Sequence, residues 1–204
     1  MYKKLRRILT ELIEKVYAYR IQRIYGSKLV LMEGSTIDHK SQIHIFGNGS
    51  IHIHENASLR SSPIGYHGGM PFPCSILVDG PNARVNVGRS SRLNGAYIHA
   101  KRLIDIGDNC VIASGVNVID SNGHNLTSSD RTSGADDPKP IRIGNNVWIS
   151  MNAIILKGTT IGDNCVIGAN SVVKGDFPRN SLIIGNPARV VKTLDISKPE
   201  LTIL

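Results

Sequence analysis

Residues 141 to 176 read IRIGNN VWISMN AIILKG TTIGDN CVIGAN SVVKGD, which is six consecutive hexapeptides. The third position of every hexapeptide is aliphatic, namely Ile143, Ile149, Ile155, Ile161, Ile167 and Val173. A six-residue period is too long for strand alternation and is out of phase with an α-helix. It is typical of a chain that winds into a triangular β-helix with one aliphatic side chain pointing inward from each flat face. The sequence therefore predicts an all-β fold built as a parallel β-helix.

The same period continues toward the N-terminus, although its phase slips. Aliphatic residues lie six apart at Ile37 and Ile43, Ile45 and Ile51, Ile53 and Leu59, Val87 and Leu93, and through Ile106, Ile112 and Val118. Two segments interrupt it. The Gly- and Pro-rich residues 61–73 predict a loop, and the polar stretch of twenty residues at 121–140 predicts a protruding loop of the kind that carries function.

An amphipathic helix is predicted over residues 2–25, ending near Gly26. Apolar residues recur at helical spacing, at Leu5, Ile8, Leu9, Leu12, Ile13, Val16, Ile21 and Ile24. Such a helix either covers the open end of the β-helix or lies as a basic helix on an anionic membrane surface. We divide the chain into this helix at 1–26, a β-helix domain at 27–192 that includes the loop at 121–140, and a tail at 193–204.

Charge and cysteine usage narrow the class of protein. The chain has 204 residues and a formal charge of +8. Residues 1–28 hold eight Lys or Arg against two Glu, a net of +6, so only about +2 remains for the body, which argues against a nucleic-acid surface. Cys74, Cys110 and Cys165 lack metal-ligand spacing and are interpreted as small buried residues of a reduced compartment. Without a membrane-spanning run or a signal peptide, we expect a cytoplasmic protein.

From about Asn94 to Lys192 the chain resembles the hexapeptide-repeat acyltransferase superfamily, and within it the galactoside, maltose and polysaccharide O-acetyltransferases. The strings IDSNGHNL, IGNNVWIS, TTIGDNCVIGANSVV and GNPARVVK carry this resemblance. It implies a left-handed parallel β-helix and acetyl-CoA as acyl donor. It also implies a homotrimer with active sites between subunits, so that His124 and Trp148 of one site come from different chains.

The resemblance assigns the role of general base to His124, in the loop at 121–140. A sugar hydroxyl is a poor nucleophile at neutral pH and must lose its proton as it attacks a thioester carbonyl. An imidazole, whose unperturbed pKa is ~6.5, can accept that proton. Asp120 lies four residues earlier and either orients the imidazole ring or makes a loop-stabilising turn contact.

Asn94 and Trp148 stand where the resembling enzymes have an Asn and a Trp that line the acceptor and pantetheine pockets. For Asn94 the alternative is a corner residue of a β-helix turn. Trp148 is the sole tryptophan of the chain, in an outward slot beside the inward Ile149. An aromatic side chain there would be exposed without a partner, which favours a binding role.

Further positions are expected to bind coenzyme A on the strength of the resemblance. The backbone amide of Met151 matches the donor to the tetrahedral intermediate, and Ala169 matches a backbone contact to the pantetheine arm. Arg189 and Lys192 match the residues that bind its phosphates. Lys174 is displaced by one position from the Thr-Lys-Asp string of related sequences, which puts its contact with coenzyme A in doubt.

The sequence thus predicts an acetyl-CoA-dependent O-acetyltransferase that modifies a sugar of a capsule, an O-antigen or its precursor. Alternative readings are N-acetylation of a nucleotide-linked amino sugar, acetylation of an antibiotic or other small molecule, and a structural or binding β-helix. The pairs His39 and His44, or His52 and His54, superficially suggest zinc. They are better explained as outward residues in strand alternation, and we predict no metal site.

Overall fold

The computed structural model describes residues 2–64 and 66–197. It begins with helix α1 (Tyr2–Tyr25) and a 3-10 turn (Gly26–Lys28). In chain order the strands are β1 (Leu29–Leu31), β2 (Thr36–Ile37), β3 (Gln42–Ile45), β4 (Ser50–Ile53), β5 (Ser58–Arg60), β6 (Ser75–Val78), β7 (Arg84–Val87), β8 (Arg92–Asn94), β9 (Tyr97–Ala100), β10 (Leu103–Ile106), β11 (Val111–Ile112), β12 (Asn117–Ile119), β13 (Ile141–Ile143), β14 (Trp148–Ile149), β15 (Ile154–Leu156), β16 (Thr160–Ile161), β17 (Val166–Ile167), β18 (Val172–Val173), β19 (Asp176–Phe177), β20 (Ser181–Gly185) and β21 (Ala188–Thr193).

The strands form three sheets, which we call faces A, B and C. Face A is β1-β4-β7-β10-β13-β16-β19, face B is β2-β5-β8-β11-β14-β17-β20-β21, and face C is β18-β15-β12-β9-β6-β3. Each coil of the chain visits A, B and C in turn, and the strand pairs are parallel except β20 with β21. The B/C corner is where the chain passes from face B to face C, and the C/A corner is where it passes from C to A. The predicted parallel β-helix is confirmed.

The predicted hexapeptide positions form the core. All six aliphatic residues of the tract are at most 3% exposed, and the earlier aliphatic pairs of the N-terminal coils are buried as well. They stack in register, for example Ile149 on Ile167 and Ile155 on Val173. Each buried aliphatic side chain contributes about 1.5–3 kcal/mol relative to exposure, so stacking identical positions stabilises every added coil.

The corners between faces A and B use asparagine and glycine for two different reasons. Asn146 and Asn164 adopt positive φ values of 54° and 59°, a region that asparagine tolerates better than most residues. Their side-chain amides form a ladder in which Asn146 Nδ2 donates to Asn164 Oδ1 at 2.9 Å. At Gly107 the reason is space, because an added Cβ would lie 2.6 Å from the carbonyl carbon of Gly144 in the next coil.

The three cysteines are free and buried, as predicted. Cys110 and Cys165 occupy equivalent slots, where their thiols donate to the carbonyl oxygens of Gly144 and Pro178. Burial raises the pKa of Cys74 to about 12, offset only partly by a hydrogen bond with the backbone of Ala96. These thiols therefore act as small packing groups rather than nucleophiles.

Helix α1 contacts the first coil through a stripe that differs from the predicted one. Ile21 is buried, and the Tyr17 and Tyr25 hydroxyls donate to the carbonyl oxygens of Ser41 and Ile43. These three residues are four apart and share one side of the helix. Of the predicted apolar face, only Ile21 is buried, and Leu5, Ile8, Leu9, Leu12, Ile13, Val16 and Ile24 are 41–73% exposed. The reason is geometric: at ~100° per residue the stripe from Leu5 to Val16 points away from the coil.

Two further findings concern membranes and metals. Among the described residues, no helix combines the length and apolarity needed to cross a bilayer. His44 and His52 point outward in the strand alternation, as the sequence predicted. Within residues 2–64 and 66–197, no three His, Cys, Asp or Glu side chains cluster as metal ligands would.

Candidate active site

A cavity of about 610 Å³ lies on the outside of face B at the B/C corner. Strands β8, β11 and β14 form its floor, and the turns that follow β14 and β17 form its rim. Four of the residues singled out from the sequence line it together: Asn94, Trp148, Met151 and Ala169. Parallel stacking brings them together, because equivalent positions of successive coils are only about 4.8 Å apart.

Asn94 is the last residue of β8 and is 3% exposed. Its side-chain Nδ2 donates to the carbonyl oxygen of Ile112 at 3.0 Å. This bond fixes the amide plane and leaves Oδ1 as the acceptor available to the cavity. Asn94 is therefore both a corner residue of the β-helix and a lining residue of the cavity.

Trp148 points outward from face B, and the adjacent Ile149 points into the core, as predicted. The indole stands between Val111 of β11 and Val166 of β17, its partners in the sheet. With 52% of its surface exposed, it offers an apolar wall with one N–H donor. Such a wall suits a long, partly apolar ligand arm.

Outward-facing amides line the B/C corner. The amide of Ser114 donates to the Tyr66 hydroxyl at 3.2 Å. The amide of Met151, at the equivalent place one coil later, donates to no oxygen of the described residues. It is therefore available as a donor at the rim of the cavity, beside the small Ala169.

The loop at 61–73 brings two residues to the cavity that the sequence reasoning missed, Tyr66 and His67. The loop packs closely on the corner, since a Cβ at Gly95 would lie 2.6 Å from Met70 Cγ, and one at Gly68 would lie 2.8 Å from Met151 Sδ. The sequence signal that could have indicated these two residues is a Tyr followed by a His within a Gly- and Pro-rich interruption of the repeat.

His124 is exposed in the loop at 121–140, which leaves the β-helix at the C/A corner. It does not line the cavity at the B/C corner of the same chain. The base of the loop is held by Asp136, whose carboxylate accepts from the Ser121 hydroxyl, from the Asn122 amide at 2.6 Å and from Lys157 Nζ at 2.6 Å. Burial raises the pKa of Asp136, but these hydrogen bonds outweigh it and hold the pKa well below its usual range.

Asp120 is fully buried, and its carboxylate points toward the preceding coil. It accepts hydrogen bonds from the amides of Lys101, Arg102 and Leu103 at 2.7, 2.8 and 2.8 Å. These are the contacts of a turn-stabilising residue, although the stabilised turn belongs to the neighbouring coil rather than to the loop at 121–140. A role in orienting His124 stays a prediction.

The three basic residues assigned to coenzyme A fall in two places. Arg189 and Lys192 are exposed on β21, at the C-terminal end of face B. Lys174 is exposed after β18, at the C/A corner, as is His124. Within one chain, Lys174 and His124 therefore lie at the opposite edge of face C from Trp148 and Met151.

Comparisons with known proteins agree with this architecture. The family model "Bacterial transferase hexapeptide (six repeats)" matches residues 140–175, and "Hexapeptide repeat of succinyl-transferase" matches residues 104–119. Galactoside O-acetyltransferase from Escherichia coli strain K12 is 39% identical over 114 residues, which cover 55% of this chain and 56% of that protein. A putative lipopolysaccharide biosynthesis O-acetyl transferase from the same strain is 38% identical over 106 residues, covering 47% of this chain and 54% of that protein.

A solved structure of galactoside acetyltransferase in complex with coenzyme A superposes with a TM-score of 0.52 at 28% identity. The match covers 79% of this chain and 66% of that one. The chain spans a little over half the length of the two curated relatives. Three parallel sheets, a stacked aliphatic core and two matched repeat models together show that the chain is a left-handed parallel β-helix of hexapeptide repeats, similar in fold and repeat sequence to the hexapeptide acetyltransferases.

Proposed function

We propose that the protein is an acetyl-CoA-dependent O-acetyltransferase that modifies a sugar hydroxyl of a surface polysaccharide, such as a capsule or O-antigen, or of its precursor. The observation that carries this proposal is the cavity that joins Asn94, Trp148, Met151 and Ala169. The names of the two curated relatives, a galactoside O-acetyltransferase and a putative lipopolysaccharide biosynthesis O-acetyl transferase, support a sugar hydroxyl as acceptor, and the second supports a surface glycan.

The cavity fits the acyl donor on chemical grounds. Trp148 supplies an apolar wall for the pantetheine arm, and Ala169 permits close approach to the backbone. The amide of Met151 is free to stabilise a developing oxyanion. Arg189 and Lys192, further along face B, supply positive charge for phosphates. Acetyl-CoA provides the thioester carbonyl, and the protein provides the donor, the orientation and the base.

We assign the general base to His124 of a neighbouring subunit in a homotrimer. The residues predicted from the family divide between two edges of face C, with His124 and Lys174 at one edge and Asn94, Trp148 and Met151 at the other. The outward side of face C between these edges is partly apolar, with Leu77, Tyr97, Ile119, Ile154, Leu156 and Val172. Cyclic packing of this face would join the two edges into one complete site.

Subunit complementation tests the activity and the shared site together. We expect His124→Ala and Trp148→Ala each to lower the rate of acetyl transfer strongly, by ~10² to 10⁴ for the base. Both residues are exposed, so the variants should fold. Co-refolding equal amounts of the two variants should restore about a quarter of the sites, because a cyclic trimer then contains intact His124–Trp148 pairs by chance.

Each outcome of this experiment has a distinct meaning. Recovery in the mixture, with none in either variant alone, supports the shared site. Two inactive variants that stay inactive when mixed place both residues in one chain's site and contradict the trimer arrangement. Full activity of His124→Ala removes His124 as the base, in which case His67 inside the cavity becomes the next residue to substitute.

Helix α1 supports a further part of the proposal, peripheral binding to an anionic membrane surface. Its outward stripe contains Leu5, Ile8, Leu9, Leu12, Ile13 and Val16, all well exposed. The surrounding sequence to residue 28 has a net charge of +6. An exposed apolar stripe flanked by basic residues is the pattern of helices that lie in the lipid headgroup region. The capping contact uses the other side of α1, so both roles are compatible.

A further inference from the structure

A second cavity, of about 630 Å³, lies between helix α1 and the N-terminal coils of face B. Thr10 and Glu14 of the helix form one wall, and Asp38, Arg60 and Arg92 form the other. Arg60 and Arg92 also line the candidate active site. The two cavities are therefore adjacent and share these two arginines, and we call the second cavity with the two arginines the cleft.

Arg60 and Arg92 are neighbours on the outward side of face B. Arg60 pairs with Asn94 across the β5–β8 ladder, and Arg92 pairs with Ser58. The two arginines are thus diagonal neighbours, with Cα atoms ~7–8 Å apart. Both arginines are therefore neighbours of Asn94 on face B and line the same cavity as this buried residue.

Neither arginine is neutralised at short range. Among residues 2–64 and 66–197, no carboxylate lies within ion-pairing distance of Arg60 or Arg92, whereas Arg89 pairs with Glu55 at 3.2 Å. Burial and the neighbouring Asp38 raise the pKa of Glu14, and the charge of Arg60 offsets this only in part and without a salt bridge. Two adjacent cations without a bound counter-ion attract an oxyanion, and a guanidinium binds a carboxylate or phosphate through two parallel hydrogen bonds.

Two carboxylates that line the second cavity suit the neutral part of a sugar. Asp38 is held by the amide of Lys40 at 2.9 Å, and Glu14 projects from α1 into the same space. Ionised carboxylates only accept hydrogen bonds, so both can accept from sugar hydroxyls. The cleft therefore offers two carboxylate acceptors together with two cationic donors.

The position of the cleft along the β-helix indicates which substrate it takes. Strand order in face B puts Ala169 and the basic residues of β21 on the C-terminal side of Asn94. Arg60, Arg92 and the second cavity lie on the N-terminal side. If the donor occupies the C-terminal side, as proposed above, the N-terminal side is left for the acceptor.

We propose that this cleft binds an acidic sugar residue of the acceptor, with its carboxylate or phosphate on Arg60 and Arg92 and its hydroxyls on Glu14 and Asp38. The inference rests on the proposed acetyltransferase function and specifies its substrate class. The oxyanion is either a carboxylate of the sugar itself or a phosphate that links it to a carrier. Both present the same chemistry to two guanidinium groups.

Three acceptor probes separate these cases: methyl glucuronoside, UDP-glucose and the neutral methyl glucoside. Acetyl transfer to each is measured as kcat/KM with acetyl-CoA in excess. We expect one of the two anionic probes to exceed methyl glucoside by about tenfold or more, the usual effect of a hydrogen bond to a charged group. A preference for methyl glucuronoside identifies a carboxylate, and a preference for UDP-glucose identifies a phosphate.

The substitutions Arg60→Gln and Arg92→Gln should each reduce the ratio of anionic to neutral kcat/KM toward one, and Arg60→Lys should retain part of it. Arg142→Gln, which removes a charge from the outward side of face A, is the matched control and should keep the wild-type ratio. Equal kcat/KM for the three probes, or a ratio that survives both glutamine substitutions, would overturn the proposal.

A binding measurement keeps this inference separate from the proposed function. Isothermal titration with methyl glucuronoside and UDP-glucose, without acetyl-CoA, should detect binding of one anionic probe that Arg60→Gln weakens about tenfold. If no probe is acetylated and coenzyme A leaves the melting temperature unchanged, the acetyltransferase proposal fails. If transfer occurs but anionic probes bind no better than methyl glucoside, only the acidic-acceptor inference fails.

Discussion

At the scale of single residues, Asp120 is the residue for which the sequence left both a structural and a catalytic role open. Its buried carboxylate accepts from three consecutive amides of the preceding coil. Nothing in the sequence distinguished this contact from a hydrogen bond to His124, because both need an acidic residue close before the loop. The three amides lie 17 to 19 residues earlier, so only the stacking of coils brings them to Asp120.

We predict that Asp120→Ala lowers the free energy of unfolding by about 2–4 kcal/mol, because three backbone amides lose their charge-assisted acceptor. Urea unfolding monitored by circular dichroism measures this. Asp137→Ala, an exchange of the same type at the base of the loop, is the control and should cost much less. An Asp120→Ala variant as stable as the wild type, but without acetyl transfer, would instead support the role in orienting His124.

At the scale of elements, the loop at 121–140 is anchored by one carboxylate. Asp136 joins both ends of the loop through Ser121 and Asn122, and Lys157 ties it to the coil below. The loop carries His124, so this anchor determines where the proposed base can stand. The sequence predicted a functional loop at 121–140. It did not predict the contact between Asp136 and Lys157, because the two residues lie 21 positions apart.

This anchor predicts an acid sensitivity with a definite sign. The native pKa of Asp136 is depressed, since its hydrogen bonds outweigh the effect of burial. Its contribution to stability is therefore complete above the unfolded pKa of about 3.9 and is lost as pH falls toward the lower native value. Between pH 6 and 2.5 we expect the wild type to lose more unfolding free energy than Asp136→Asn. Parallel pH curves for the two proteins would contradict the assignment.

At the scale of the whole molecule, the two sides of α1 connect the β-helix to its surroundings. Tyr17, Ile21 and Tyr25 fix the helix on the first coil. The opposite stripe is left for another surface, and Thr10 and Glu14 form a wall of the acceptor cleft. A helix that lies on a membrane would therefore bring the cleft close to acceptors carried by lipids.

We predict that the protein cosediments with vesicles containing phosphatidylglycerol and that salt weakens this binding, because exposed charges are screened. The double substitution Leu9→Glu and Leu12→Glu should abolish binding. Ser50→Glu and Thr160→Glu, an equal charge change on face A, should reduce it far less. If the Leu9 and Leu12 substitutions change the oligomeric mass in light scattering and no vesicle binding is seen, the stripe contacts a second copy of the chain instead.

Sequence alone determined the β-helix and its core, because each buried position depends only on a local six-residue period. That period predicted the six stacked third-position residues from Ile143 to Val173, although not the buried Val147, and it left Trp148 facing outward. The cavity residues Asn94, Trp148, Met151 and Ala169 were also predicted, through resemblance to a known family rather than through any local rule.

Tertiary structure decided what depends on contacts between distant coils and between segments outside the repeat. The cleft at Arg60 and Arg92 needs a strand ladder, a loop and a helix that are separate in sequence. Two tyrosine hydroxyls decided which side of α1 contacts the β-helix, because they donate to carbonyl oxygens of the first coil. Hydrophobic periodicity predicts which residues are buried. It does not predict which polar groups form hydrogen bonds once the coils have stacked.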